Sequence, residues 1–252
     1  MEKVVFLSDE GDGIALIRME DKKNKNLFTK EFTKQLIDTI EMAEYDIRFK
    51  VIVLTGFDHY FLSGGTQKAL LDIQSGKKTF LDSEDKRSLY SMPLDCKIPV
   101  IAAMQGHAIG GGFSLGLFAD FVLLSRESIY TASFMKYGFT PGFGSTYIFS
   151  KKLGMVLGSE MLLTARKYRG EELKKRGAPF EVYPREEVVE RALELARLIA
   201  EKPRESLITL KDNLVSDIRE ALPAAIQKEL EMHRITFNLP EVKERIIDLY
   251  NN

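Results

Sequence analysis

The sequence predicts an α/β body followed by an all-helical tail, and three observations point to it. Short apolar runs alternate with helix-like stretches up to about Gly142. Beyond that point helical patterns stand alone, punctuated by prolines. The chain has 252 residues, 44% apolar and 29% charged, enough to bury the core of one large domain. In chain order, Val4–Leu7 and Ile14–Met19 read as strands and Phe28–Tyr45 as a helix. Val51–Thr55 is the next strand, with Gln67–Gln74 and Glu84–Met92 as helices after it. Val100–Met104 is a strand, a helix opens in the triple glycine at 110–112, and Phe121–Leu124 is a further strand. Strands alternating with helices in this way argue for an α/β architecture.

In the tail, Phe143–Leu153, Ser159–Thr164, Arg185–Glu201, Arg204–Leu214 and Asp217–Asn238 read as helices. Pro203, Pro223 and Pro240 mark their starts or breaks. Leu222, Ile226, Leu230 and Phe237 form one apolar stripe, which must cover its own body or a neighbouring subunit. There is no internal repeat, low-complexity segment or flexible linker; Asp82–Lys86 is the most polar stretch.

Composition excludes several classes. Lys and Arg (36) nearly cancel Asp and Glu (37), so the basic footprint of nucleic-acid binding is missing. One cysteine, Cys96, excludes an internal disulfide framework and a cysteine-based zinc cluster. The N-terminus turns polar too soon for a signal peptide, and no apolar run approaches a membrane span. A soluble, cytoplasmic protein is expected. Its unusual feature is glycine: 18 residues, many between Gly106 and Gly144.

Two strands end in glycine-rich turns that run into helices. The first is Val51-Ile-Val-Leu-Thr-Gly56 with Phe61-Leu-Ser-Gly64-Gly65-Thr66 after it. The second is Pro99-Val-Ile-Ala-Ala-Met-Gln-Gly106-His-Ala-Ile-Gly110-Gly111-Gly112-Phe113. Glycine allows close approach of backbone to ligand, and a helix start leaves N–H groups free. Two such N–H groups converging on one point make an oxyanion hole. Gly56 and Gly106 taken alone read as turn-makers. The triple glycine reads as functional, because each glycine inside a helix otherwise costs roughly 0.5–1 kcal/mol for nothing.

The segment Gly106-His-Ala-Ile-Gly-Gly-Gly112-Phe-Ser-Leu-Gly-Leu-Phe-Ala-Asp120 resembles the second oxyanion segment of the crotonase (enoyl-CoA hydratase/isomerase) superfamily. Phe61-Leu-Ser-Gly-Gly65-Thr resembles its first oxyanion loop, and Tyr137-Gly-Phe-Thr-Pro-Gly142 its later Gly-x-x-Pro turn. The resemblance spans nearly the whole chain. It implies a spiral of ββα units over residues 1–195. Residues 196–252 are then a C-terminal helical region that covers the site and builds a trimer or a dimer of trimers. It also implies that the N–H groups of Gly65 and Gly111 hold the thioester oxygen of an acyl-CoA or acyl-carrier-protein substrate.

Hydratases of this family carry two catalytic glutamates. Here Ser114 stands at one of those positions and Ala132-Ser-Phe134 at the other. Adding water needs a positioned acid/base pair, which serine and phenylalanine do not supply. Decarboxylation of a glutaconyl-type thioester needs no such pair, because loss of CO₂ itself leaves a dienolate for the hole to accept. A mobile lysine or a neutral histidine suits the departing carboxylate better than a rigid arginine. The stretches Ser63-Gly-Gly-Thr-Gln, Phe134-Met-Lys-Tyr-Gly-Phe-Thr-Pro and Glu229-Leu-Glu-Met-His233 resemble the decarboxylating crotonases of polyketide β-branching. That resemblance implies a carrier-bound methylglutaconyl substrate, met by a tail histidine and by a lysine after the first oxyanion loop.

Of three histidines, His59 reads as solvated surface and His107 as packing. His233 lies on the apolar stripe, where a lone histidine is more often a satisfied core residue; the resemblance implies instead that it meets the carboxylate. The lysine is Lys78 or its neighbour Lys77, with Lys78 preferred. Tyr90 and Tyr137 are further pocket candidates. Lys22-Lys23-Asn-Lys25 and Lys151-Lys152 are basic clusters suited to a phosphopantetheine phosphate or an acidic carrier protein, with solvated surface the alternative for both. No metal or redox cofactor is expected, since the thioester is the electron sink.

Three rival readings remain open. A double-bond isomerase of the same superfamily would use the same dienolate without losing CO₂. Gly112-Phe-Ser114-Leu-Gly116 matches the nucleophile elbow of serine hydrolases, with His233 late in the chain as a triad histidine should be. The third is a crotonase without activity that serves as a binding module.

Overall fold

The computed structural model describes residues 2–78 and 89–250. Its first half contains β1 (Val5–Asp9), β2 (Ile14–Met19), β3 (Leu27–Phe28), α1 (Lys30–Tyr45), β4 (Val51–Thr55), β5 (Tyr60–Leu62), β6 (Gly64–Gly65), α2 (Gln67–Gln74) and α3 (Met92–Asp95). It continues with β7 (Val100–Met104), β8 (His107–Ile109), α4 (Gly111–Leu117), β9 (Phe121–Ser125), β10 (Ile129–Thr131) and α5 (Ser145–Thr164). Then come β11 (Tyr168–Arg169), α6 (Gly170–Lys175), β12 (Glu181–Tyr183), α7 (Val188–Ala200), α8 (Arg204–Thr236) and α9 (Pro240–Leu249).

Six strands form a sheet in the order β1-β2-β4-β7-β9-β12, parallel except for the β1–β2 hairpin. The central strands are apolar on both faces because both are covered. Alternate residues divide between two cores. Ile14, Leu16, Val51, Val53, Ile101 and Ala103 pack on α7 through Val188, Ala192 and Ala196. Ala15, Ile17, Ile52, Leu54 and Ala102 face the main core instead.

A second, four-stranded sheet runs β11-β10-β8-β5. The chain therefore repeats one unit: a long strand in the first sheet, a short one in the second, then a helix. The sets β4-β5-α2, β7-β8-α4 and β9-β10-α5 are three turns of this ββα spiral.

Several sequence expectations are revised. The expected helix from Phe28 begins only at Lys30, after Thr29 caps it by accepting the Phe32 N–H. Leu27 and Phe28 instead pair with Gly64 and Gly65. The helices expected over Phe143–Leu153 and Ser159–Thr164 are one element, kinked at Gly154 (φ 76°, ψ 159°). Arg204–Leu214 and Asp217–Asn238 are likewise one 33-residue helix that runs through Pro223. Pro223 is on the exposed face, where water can replace the lost donor, while Ile218 and Leu222 are buried beside it. Tertiary packing here outweighs the helix-breaking tendency. Pro240 does start a helix. Most of the expected helix Glu84–Met92, and the polar stretch Asp82–Lys86, lie outside the described residues.

Candidate active site

Each glycine loop is placed by a short strand. Gly64 and Gly65 pair with Leu27 and Phe28, and Thr66 then caps α2, its Oγ1 accepting the Ala69 N–H at 3.1 Å. The second loop leaves β8 and turns at Gly110 (φ 55°, ψ −121°) into α4. Gly111 is the first residue of that helix, so its N–H is one that helix geometry leaves without an i−4 partner.

The loops touch. Gly64 has φ +84°, and a Cβ there would sit 2.8 Å from the Ile109 carbonyl oxygen and 3.9 Å from the Gly111 nitrogen. A Cβ on Gly111 would meet the Tyr90 ring at 2.8 Å and that of Phe28 at 3.4 Å. Glycine at these two places lets one backbone approach the other beneath an aromatic roof. Tyr90 stacks on Phe143 with ring centroids 3.4 Å apart and meets Phe28 edge-on at 5.2 Å. Burial pushes the Tyr90 hydroxyl up, so it stays protonated.

A cavity of about 940 Å³ opens over both loops, lined by Gly64, Gly65, Gly110 and Gly111. Its charge is one-sided. Among the described residues five lysines line it (Lys23, Lys25, Lys78, Lys136 and Lys167), and no aspartate or glutamate does. Phe134, at a position where hydratases place a glutamate, is a buried part of the wall, and Tyr90 and Tyr137 line it too. Lys78 lines the cavity and Lys77 does not. The N–H groups of both lysines bond the Asp72 carbonyl, at 3.2 and 2.9 Å, which turns the chain at the end of α2.

Ser114 is fully buried in α4. Its Oγ shares a 2.7 Å hydrogen bond with Ser145 Oγ and donates to the Gly110 carbonyl at 3.2 Å. No histidine reaches it among the described residues, so the serine-hydrolase reading has no triad.

His233 is buried behind the wall rather than among the cavity-lining residues. Its Nε2 lies 2.9 Å from the Thr140 carbonyl and 3.0 Å from that of Pro141. Carbonyls only accept, so Nε2 carries the proton and Nδ1 the lone pair. The ring also meets Phe237 edge-on at 5.3 Å. The structure therefore brings Gly65, Gly111 and Lys78 together around one space and sets His233 one layer back, on the turn that supplies Phe139 and Phe143 to the wall.

Sequence reading passed over a partner of that turn. Glu229 is buried, and its carboxylate accepts the Gly144 N–H at 2.6 Å, the Thr146 N–H at 2.8 Å and the Thr146 hydroxyl at 2.6 Å. It caps α5 from another helix, and burial raises its pKa. Glu229 and His233 are four apart and share a helix face, with Thr236 three further on and bonded to Thr140. That spacing was the available signal.

Burial lowers the His233 pKa, so the ring is neutral in the fold. Below about pH 6.5 the unfolded chain takes up a proton that the fold resists, so this contribution is complete above that pH and lost as pH falls. Glu229, raised by the same burial, acts in the opposite sense: its contribution is lost as pH rises through its folded value. A His233→Gln variant should therefore lose less melting temperature than the wild type between pH 7 and 5, measured by thermal unfolding. Parallel curves would contradict it.

The remaining candidates are structural. His107 Nδ1 accepts the Ile129 N–H at 2.9 Å, and the exposed His59 contacts the Arg185 guanidinium. Lys152 donates to the Ala119 carbonyl at 2.8 Å, which gives that basic cluster a packing role. Among the described residues no group of three or more His, Cys, Asp or Glu side chains is arranged to hold a metal ion.

Comparison with known proteins places the chain in a family. The family model described as enoyl-CoA hydratase/isomerase matches residues 9–250. The chain is 55% identical to the bacillaene synthase decarboxylase PksI of Bacillus subtilis over 249 residues, covering 99% of this chain and 98% of that one. It is 29% identical to a probable enoyl-CoA hydratase of Mycobacterium tuberculosis over 90% of its length and 85% of the relative's. A solved structure from work on a dehydratase/decarboxylase enzyme couple in polyketide β-branching superposes with a TM-score of 0.96 at 55% identity, covering 99% of this chain and 100% of that one. The ECH2 decarboxylase domain of CurF from Lyngbya majuscula gives 0.92 at 44% identity, with 97% and 98% covered. The chain belongs to the enoyl-CoA hydratase/isomerase family.

Proposed function

We propose that this chain is a crotonase-type decarboxylase of polyketide β-branching. It converts a 3-methylglutaconyl-type thioester on an acyl carrier protein to the 3-methylcrotonyl-type thioester. Similarity to a bacillaene synthase decarboxylase, to the ECH2 decarboxylase domain of CurF and to a structure from a dehydratase/decarboxylase couple of polyketide β-branching supports the reaction class. The observation that carries the reading is the cavity wall, with two apposed glycine loops, five lysines and, among the described residues, no carboxylate.

The thioester oxygen sits between the Gly65 and Gly111 N–H groups. The bond to the departing carboxylate breaks, and its electron pair passes through the double bond into the carbonyl. The hole takes the oxyanion charge, CO₂ leaves, and the dienolate takes one proton from the Lys78 ammonium, which solvent then reprotonates. Lys78 holds the carboxylate by a flexible ammonium that need not follow it out. Phe134 keeps that end apolar, so loss of the charge is favoured over its retention. His233 acts on this end from behind, through the turn that carries Phe139 and Phe143.

An isomerase must first remove a proton with a positioned base, and the described wall offers no carboxylate for that. The substrate in this reading is anionic twice. Lys78 takes the carboxylate, while Lys23, Lys25, Lys136 and Lys167 suit the phosphopantetheine phosphate and an acidic carrier surface. No metal or redox group is needed.

Residues 196–252 then cover the site and build a homotrimer or hexamer. In support, Met155, Val156 and Leu163 of α5 and Leu210, Leu214 and Ile235 of α8 are apolar and more than half exposed. Among the described residues no helix is long and apolar enough to cross a membrane, which fits our placement in the cytoplasm.

Incubation with glutaconyl- and 3-butenoyl-type carrier thioesters, read by mass spectrometry for CO₂ loss and by NMR for double-bond position, tests the reaction. A mass loss equal to CO₂ from the first supports decarboxylation. Double-bond migration in the second without that loss would instead make the protein an isomerase.

A further inference from the structure

The C-terminal helix reaches the first glycine loop through one phenol. Tyr250, the residue after α9, donates its hydroxyl hydrogen to the Gly65 carbonyl at 2.7 Å. The end of α9 is itself tied to the site. Gln67, the first residue of α2, donates Nε2 to the Ile246 and Ile247 carbonyls at 3.1 and 3.3 Å. Lys136 Nζ donates to the Leu249 carbonyl at 2.8 Å. These are three of the four carbonyls that the end of a helix leaves without a donor, and Gln67 and the cavity-lining Lys136 satisfy them. The Tyr250 ring also stacks on Tyr137, with centroids 6.4 Å apart and planes at 29°.

Gly65 needs such a tie. It has no side chain to pack, and a Cβ there would meet only Leu70 at 3.8 Å. Its backbone is thus held on one side by pairing with Phe28 and otherwise by whatever binds its carbonyl. A donor fixed on that carbonyl limits rotation about the Gly65 Cα and so restrains the direction of its N–H. Burial, with Tyr137 beside it, pushes the Tyr250 hydroxyl up to about 12, so it remains a donor across the working pH range.

We propose that Tyr250 is a positioning residue for the oxyanion hole: held by α9, its hydroxyl aims the Gly65 N–H at the thioester oxygen without touching the reacting atoms. The inference rests on Gly65 being a donor of the hole, as proposed above.

Tyr250→Phe keeps the ring and its stacking and removes only the hydroxyl. Four quantities are measured on wild type and variant: kcat, KM, the melting temperature, and the carbonyl stretch of a bound 3-methylcrotonyl thioester by isotope-edited difference infrared spectroscopy. The last needs no turnover, so it reads the hole whichever reaction the enzyme performs. The expected result is a kcat lower by about tenfold, as for other residues that orient a ligating group. KM and melting temperature stay unchanged, and the carbonyl band moves back toward its solution frequency. An unchanged band in the variant overturns the inference, whether or not kcat falls with stability. A wild-type band already at its solution frequency overturns the hole and this inference with it. A shifted wild-type band without CO₂ release refutes only the decarboxylation reading, and the variant's band still decides the role of Tyr250.

Discussion

Gly64→Ala is expected to lower kcat by about 10²–10³-fold, the loss typical of an oxyanion hole that gives up one donor. The cause is steric. The residue sits at φ +84°, and its new Cβ would lie 2.8 Å from the Ile109 carbonyl oxygen, at the point where the two glycine loops meet. Relief requires β6 to move away from the start of α4, which parts the Gly65 and Gly111 N–H groups. The backbone strain alone costs about 1–3 kcal/mol, so the melting temperature also falls. Gly177→Ala supplies the control, because it has φ +80° and nothing within 4 Å of a Cβ. It should cost stability and leave kcat intact. Steady-state kinetics on both variants measure this, and full activity in Gly64→Ala would show that the loops do not form the hole.

The second large effect is expected at Lys78. Losing a charge-assisted hydrogen bond to a buried carboxylate costs about 1.5–3 kcal/mol, so Lys78→Met should lower kcat/KM by roughly 10–100-fold. Lys77→Met, one residue away but outside the cavity wall, should stay near wild type. Lys78→Arg separates binding from catalysis: a planar, bidentate guanidinium recovers KM but grips the carboxylate too firmly, and kcat stays low. If Lys77→Met is the damaging change, the assignment at the end of α2 is wrong.

The long elements were legible because their signal is long. Val51–Thr55 and Val100–Met104 are continuous apolar runs, and the structure gives them those bounds. The short strands were not legible. Gly64–Gly65 and Leu27–Phe28 are two residues each, and their pairing is set by a partner far along the chain. Pro223 misled because propensity is local, whereas the burial of Leu222 is not.

In the site, the glycine loops and the two missing glutamates could be read directly, since a run of glycines and an absent residue are both visible in the sequence itself. The lysine could be narrowed to Lys77 or Lys78, with Lys78 preferred, and the turn on Asp72 is what puts Lys78 and not its neighbour on the cavity wall. His233 was found as a residue but not as a geometry. Its bonds go to main-chain carbonyls, which carry no sequence signature. Tyr250 was passed over for the same reason, whereas Glu229, which accepts from two main-chain N–H groups and a hydroxyl, was marked only by its spacing from His233.

A crotonase site that keeps its hole and loses its carboxylates is expected to break a carbon–carbon bond and not to add water. The most direct measurement presents both substrates to the same enzyme: a 3-methylglutaconyl carrier-protein thioester and its product-type 3-methylcrotonyl counterpart, each followed by intact-protein mass spectrometry. Decarboxylation predicts loss of CO₂ mass from the first and no gain of water by the second. Water addition to the second, with the first left intact, would contradict it.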